Sequence, residues 1–507
     1  MKKFTRLLAA FLCLALLLAG CSTGGSSQGD GKNLVVSQKA DAVILDPHKT
    51  NDSASAIPMK QIYNTLVALD NDMQLIPSLA TEWTQVDDLT WEFTLRQGVK
   101  FHNGDEMKAS DVAFTFSRLI NPETAAPAAF MLSTVDKIEV VDDYTVRLIT
   151  KSEFASILYN LTHIACGILS EKAVTEGGEG YGQNPVGTGP FKFVEWKKNQ
   201  SIVLEKNADY FLEPAQLDTL TFRIIPESAT AISELNTGGV DMVLDVPAQY
   251  SNQFGEGSDL VLESFSTFET KYLAFDHRQQ PFDDVRVRQA INYATNVEDL
   301  IKVVYEGNAT PLTGPLPPKI NGFNENLQAF SYDLEKAKSL LSEAGYPDGF
   351  TTTLYISDKE EDSKIATVMQ SQLQAIGIQF DIQILEWGPY LNKTAEGVPM
   401  FLLGWTTVTA DADNGMYSNF HSSAHGLQGN RIFYTNAEVD RLLDAGRSEF
   451  DPEKRAQMYK DAGAIIVEDA AWDFLTNRLY LVGMQSRVNN FFPSPTTIFE
   501  FYSVTVD

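Results

Sequence analysis

Residues 333–384 constrain the fold more tightly than any other stretch, because their apolar period switches repeatedly between that of a helix and that of a strand. Asp333 is a helix-capping residue, and Leu334, Ala337, Leu340, Leu341 and Ala344 fall on one face before Gly345 and Pro347 stop the helix. Residues 351–356 read as a strand. Ile365, Val368, Met369, Leu373 and Ile376 share the inward face of a second helix that ends at Gly377. Ile378, Phe380, Ile382 and Ile384 then alternate with Gln379, Asp381 and Gln383, which is the pattern of a half-buried strand. This succession predicts an α/β architecture in which helices cross over between neighbouring strands.

The rest of the chain extends the same reading. Val287, Ala290, Ile291 and Ala294 line one helix face behind the capping candidates Asp283 and Asp284, with Arg286 and Arg288 projecting elsewhere. Residues 313–318, rich in proline, mark an ordered connection. Residues 437–443 and 452–467 read as further helices, and residues 499–506 as a closing strand. Asp111 is placed to cap a helix carrying Val112, Phe114 and Phe116.

The first twenty residues have the form of an export signal: Lys2, Lys3 and Arg6 precede an apolar run, residues 7–18, that is too short to span a bilayer. Leu18-Ala19-Gly20-Cys21 resembles the processing site of bacterial lipoproteins, which implies cleavage before Cys21 and lipid on its thiol. More than one acyl chain holds a protein stably at a membrane. Residues 21–32, small and polar, read as a flexible tether. They contain Gly25-Ser26-Ser27-Gln28-Gly29, which fits a serine-hydrolase pattern but lacks the strand-to-helix elbow that chemistry needs. With Cys13 in the signal and Cys21 as anchor, Cys166 has no partner for an intrachain disulfide and reads as a buried structural thiol.

Lys and Arg number 39 against 67 Asp and Glu, a net charge of −28, and loss of the three signal cations makes it −31. Such a surface repels nucleic acid. There is no phosphate-binding Gly-rich loop and no Ser-x-x-Lys. His421 and His425 lie in a polar run without a nearby Cys or Glu and read as a surface loop rather than a metal site. No cofactor is expected, and nothing in the acid spacing singles out a catalytic pair.

Several blocks, taken together, resemble the solute-binding proteins of ATP-driven importers for oligopeptides, dipeptides, nickel and glutathione. They are Leu45-Asp46-Pro47-His48, Gln61-Ile62-Tyr63-Asn64-Thr65-Leu66-Val67, Pro77-Ser78-Leu79-Ala80-Thr81-Glu82-Trp83, and the dense run from Thr90-Trp91-Glu92-Phe93 through Lys100-Phe101-His102-Asn103-Gly104-Asp105. Further blocks are Pro185-Val186-Gly187-Thr188-Gly189-Pro190-Phe191, residues 281–291 and Glu343-Ala344-Gly345-Tyr346-Pro347. The resemblance implies a two-lobed fold of periplasmic-binding-protein type with a hinge and an additional α/β domain. Residues 33–59, 181–276 and 481–507 are expected to form lobe I, 60–180 the additional domain and 277–480 lobe II. It also implies a monomer that captures its ligand outside the membrane and delivers it by cleft closure to permease and ATPase subunits.

A peptide ligand needs acids for its ammonium and a cation for its carboxylate. In peptide-binding relatives an acid shortly after Gly-Trp meets the ammonium. Here Gly404-Trp405 is followed by Thr406, and the acids come later, at Asp411 and Asp413, before Asn414. That spacing resembles the glutathione-type binders, so the expected ligand is an oligopeptide or glutathione, contacted by Trp405, Thr406, Asp411, Asp413 and Asn414. Equally open from sequence is that Asp411 and Asp413 cap a turn or helix, and that Trp405 packs in the core. Lys49, Arg278 and Arg431 are equal candidates for the carboxylate. Another solute, such as a nickel chelate, haem or an oligosaccharide, and a peptide-sensing role are the alternatives. Ser22, in place of an aspartate that resembles an inner-membrane retention signal, favours a single-membrane, Gram-positive-type cell.

Overall fold

The computed structural model describes residues 32–507 apart from 256, 329, 427 and 428. The signal, Cys21 and almost all of the tether lie outside the described residues.

The segment with the alternating periods folds as its pattern requires. Asp333 accepts a hydrogen bond from the Lys336 amide at 2.9 Å and starts the helix Leu334–Glu343. The helix Glu360–Gln374 buries Ile365, Met369 and Leu373 and carries the chain between Thr351–Ser357 and Gln379–Leu385, which pair in parallel. Thr351–Ser357 pairs in parallel with Met400–Thr406 as well.

These strands belong to a twelve-stranded sheet that runs through both lobes. The joint is the 14-residue strand Trp472–Gln485. Its first half pairs antiparallel with Glu269–Phe275 in lobe II, and its second half with Leu260–Ser266 in lobe I. The chain therefore passes between lobes twice, around Thr267–Phe268 and around Asn477–Arg478. Asn477, fully buried, donates its side-chain amide to the carbonyls of Thr267 at 2.8 Å and Glu269 at 2.6 Å, tying the two crossings together. In lobe I the strand Asn33–Gln38 pairs in parallel with Thr219–Ile224, over a core that includes Phe191, Phe222, Phe499 and Phe501.

The additional domain is a four-stranded antiparallel sheet in the order Ala80–Asp87, Thr90–Leu95, Thr145–Thr150, Val135–Asp142. The helix Ala109–Ile120 covers one face, with Val112, Phe116 and Leu119 packed in a core shared with Phe93, Leu95 and Leu148.

Four local expectations are corrected. Asp111 sits inside the first turn, where it accepts from the Lys108 amide at 2.9 Å, so the helix starts three residues earlier than expected. Arg288 does not project outward: it is 6% exposed and donates to the carbonyls of Phe282, Asp469 and Ala470, satisfying groups at the end of a neighbouring helix. Residues 499–506 are strand only at Thr505–Val506; Phe499, Phe501 and Val504 are apolar because they fill the lobe I core. His421 is buried, stacked 4.3 Å from the Tyr417 ring and bonded to Ser423, so it is a structural residue and not part of a surface loop.

Gly187 and Gly189 explain why their block carries glycine. A Cβ on Gly187 would lie 2.1 Å from the Ile62 carbonyl oxygen, and one on Gly189 would lie 2.3 Å from that of Gln61. Backbone meets backbone here, and the Gly189 amide donates to Ile62 O at 2.8 Å. Gly187→Ala is expected to destabilise the fold by about 3 kcal/mol, since neither chain segment can yield as a side chain would. Urea unfolding measures this, and a loss below about 0.5 kcal/mol would contradict the close approach.

Candidate functional site

The cleft where the three parts of the molecule meet has a volume of about 340 Å³. Lobe I supplies residues from 50–60 and 492–503, the additional domain supplies 69–73 and 162–164, and lobe II supplies Thr406 and Val408. That volume is within the range of small-molecule sites.

One wall is the helix Ser53–Ile62. Asp52 caps it, accepting from the Ser55 amide at 2.8 Å, and the apolar residues Ala56 and Met59 reach the cleft. Lys60, in the last turn, is the only basic side chain besides His163 that lines the cleft among the described residues. Its ammonium pairs with Glu500 at 2.9 Å, with Glu500 more than half exposed. His163 accepts from the Ala165 amide, and burial, aided by the Lys60 charge, holds its imidazole down to about 4, so it is neutral near pH 7. With Asp52, Asp70 and Glu500 as the lining acids, the wall carries three carboxylates against one ammonium. Such a site favours a ligand that brings a positive group.

The residues singled out after Gly404 form one unit: the end of strand Met400–Thr406, a loop, and the helix Ala412–Phe420. Only Thr406 of the five lines the cleft, joined by Val408. Trp405 packs half-buried against the lobe II core, its indole N–H without a partner. Asn414 braces the loop by accepting from the Val408 amide at 3.1 Å.

Asp411 caps the helix, accepting from the Asp413 amide at 2.9 Å, and is 1% exposed at its side chain. Arg455, equally buried, holds it with both Nη atoms, the Nη2 bond being 2.7 Å. Asp413 is held by Arg447 at 2.8 Å. Both acids are thus already neutralised by guanidinium groups, which corrects the expectation that they meet a ligand ammonium. The capping alternative describes Asp411. Ser156 of the additional domain joins the first pair, donating to Asp411 at 3.1 Å and accepting from Arg455 at 2.7 Å, so this unit fastens lobe II to that domain.

The three cations considered for a carboxylate are also engaged away from the cleft. Lys49 donates to Thr124 O, Arg278 pairs with Asp276 and lies 3.2 Å over the Phe433 ring, and Arg431 donates to Leu391 O and to Thr394. Sequence reasoning missed Lys60, Asp52, Asp70, Glu500 and Phe492 as lining residues. Lys60 borders the matched block at Gln61, a hint to that wall alone, whereas residues 492–500 reach the cleft only through the return of the chain after the long shared strand. Among the described residues no group of His, Cys, Asp and Glu is arranged to hold a metal ion.

Two lobes joined by shared strands around a walled cleft define a solute-binding fold. The family described as bacterial extracellular solute-binding proteins, family 5 Middle, matches residues 74–426, and the chain belongs to it. It is similar to the glutathione-binding protein GsiB of Pectobacterium atrosepticum, at 33% identity over 483 residues and 93% of each chain. Among solved structures it is similar to the ABC transporter-associated periplasmic binding protein DppA of Helicobacter pylori in complex with the peptide STSA. That likeness has 33% identity and a TM-score of 0.79, over 94% of this chain and 98% of that one. It is also similar to HbpA2 of Haemophilus parasuis, with 26% identity and a TM-score of 0.88 over 94% and 100% of the two chains.

Proposed function

We propose that the protein captures short peptides in the interlobe cleft, as the binding subunit of an ATP-driven importer, and presents them to the permease by closure about the crossings at Thr267–Phe268 and Asn477–Arg478. The first crossing comes eight residues before the lobe limit read from the sequence at 276, which assigns the strand Glu269–Phe275 to lobe II instead of lobe I, and the second comes two residues before the limit at 480. The observation that carries the reading is the composition of the cleft wall: three carboxylates for an ammonium, one lysine for a carboxylate, and apolar surface from Met59, Ile164 and Phe492 for side chains. Because lobe II contributes Thr406 and Val408 to a lining shared with the other two parts, a ligand touching both lobes favours the closed form. The protein acts as a binding protein without chemistry of its own, as a monomer held outside the membrane by lipid on Cys21. The Gram-positive-type host inferred from Ser22 stands as part of this proposal, although the curated relatives come from Gram-negative bacteria.

Glutathione is the second reading, favoured by the similarity to GsiB. It carries two carboxylates and one ammonium, so it suits a wall with three acids and one lysine less well than an ordinary peptide does. Calorimetry with trialanine and with glutathione separates the two. Lys60→Met is expected to weaken peptide binding by about tenfold or more, because a charge-assisted bond to the ligand carboxylate is lost. The fold should be little changed, since Glu500 is more than half exposed and stays hydrated when Lys60 is replaced. Unchanged affinity in this variant would remove Lys60 from the site.

A further inference from the structure

A second cavity, of about 400 Å³, lies within lobe II and shares no lining residue with the cleft. At its wall Asp473, on the shared strand, is 3% exposed. Among the described residues the only charged lining side chains are Asp473 and Glu298. Of the packed elements, the helix Val285–Ala294 turns Arg288 away toward the carbonyls of Phe282, Asp469 and Ala470, and the helix Val297–Val304 presents Glu298. The helix Pro452–Glu468 contributes the apolar Val467. The acid is thus buried without a counter-ion, a costly state for a carboxylate unless it is protonated or paired.

Its one bonded neighbour suggests how both states are accommodated. The Thr295 hydroxyl has a single proton and two acceptors within reach, Ile291 O at 3.0 Å and Asp473 Oδ2 at 2.5 Å. When Asp473 is protonated, it donates to Thr295, which donates to Ile291, and every group is satisfied. When Asp473 is ionised, Thr295 turns its proton to the carboxylate. Burial, opposed by the Thr295 bond, pushes Asp473 up to about 7, so both states are accessible near neutral pH.

We propose that this cavity is a second ligand site, for a small primary ammonium ion with a short apolar tail. The nitrogen sits against the Asp473 carboxylate, and the tail packs on Phe330, Phe474 and Leu312, which line the same space. Aromatic faces and an acid together are the usual surroundings of an organic cation. The proposal is independent of the cleft ligand.

Titration calorimetry of the full chain with n-butylammonium chloride, at pH 6 and pH 8 in buffers of different ionisation enthalpy, tests it. One-to-one binding is expected, with about 0.9 proton released per ligand at pH 6 and about 0.1 at pH 8, because the cation displaces the Asp473 proton. n-Butanol and butyrate, which keep the tail and lose the cation, should bind at least about tenfold more weakly, as should n-butylammonium to Asp473→Asn. Absence of n-butylammonium binding, equal binding of n-butanol, full retention by Asp473→Asn, or a proton count that does not change between the two pH values would each overturn the proposal. The proton count is read on the unaltered protein, so the test holds even if the variant does not fold.

Discussion

Arg455→Met should destabilise the protein by about 3–5 kcal/mol, the cost of leaving a buried charge without its partner. Arg455 and Asp411 are both almost wholly enclosed, at 4% and 1% side-chain exposure. Arg455 also donates to Gly446 O at 2.8 Å and lies near the Tyr459 hydroxyl. Methionine fills much of the space but leaves the Asp411 carboxylate with only the Asp413 amide and the Ser156 hydroxyl. Urea unfolding followed by tryptophan fluorescence measures the loss. Adding Asp411→Asn should recover a large part of it, since the uncompensated charge is then gone. A loss under about 1 kcal/mol in the single variant, or no recovery in the double, would show that the pair is not the brace assigned to it.

Asp473→Asn should stabilise the protein at neutral and alkaline pH, by up to about 4 kcal/mol. Burial pushes the carboxyl up to about 7 in the fold against 3.8 in the unfolded chain, and that difference sets the size of the gain. With the folded value raised, the Asp473 contribution is fully present below pH 3.8 and is lost as pH rises through about 7. The gain from asparagine should accordingly be absent near pH 4 and complete above pH 8. Four histidines work in the opposite direction. Burial holds His48, His102 and His163 down to about 4 and His277 to about 3, so their contribution is lost as pH falls below 6.5. Together they outweigh one aspartate, and the wild-type protein should lose stability on acidification. The difference between variant and wild type cancels the histidines and isolates Asp473. A variant curve parallel to wild type from pH 4 to pH 8 would contradict the buried, unpaired carboxyl.

The fold was legible wherever a local rule acts alone. The change of period in residues 333–384 gave two helices and two parallel strands, and the Asp333 cap is where its side chain predicts. The apolar face of Val287, Ala290 and Ile291 is buried as its spacing requires. Arg288 was misread because its partners, the carbonyls of residues 469 and 470, are distant in sequence, and a helix pattern cannot show an arginine turned inward to satisfy them. The site was less legible for the same reason. Asp411 and Asp413 invited a functional reading as unpaired acids, yet Arg455 and Arg447 lie 44 and 34 positions away and neutralise them. Lys60 and Glu500 meet across 440 positions, and nothing in either neighbourhood marks the other.

A short peptide held in the cleft should stabilise the folded chain. Thermal unfolding of the mature protein with and without trialanine, beside glutathione at equal concentration, tests it most directly. At about a hundred times the dissociation constant, trialanine should raise stability by about 2.7 kcal/mol, and the rise should fall away in Lys60→Met. No shift with trialanine, glutathione or a mixed panel of two- to five-residue peptides would contradict the account.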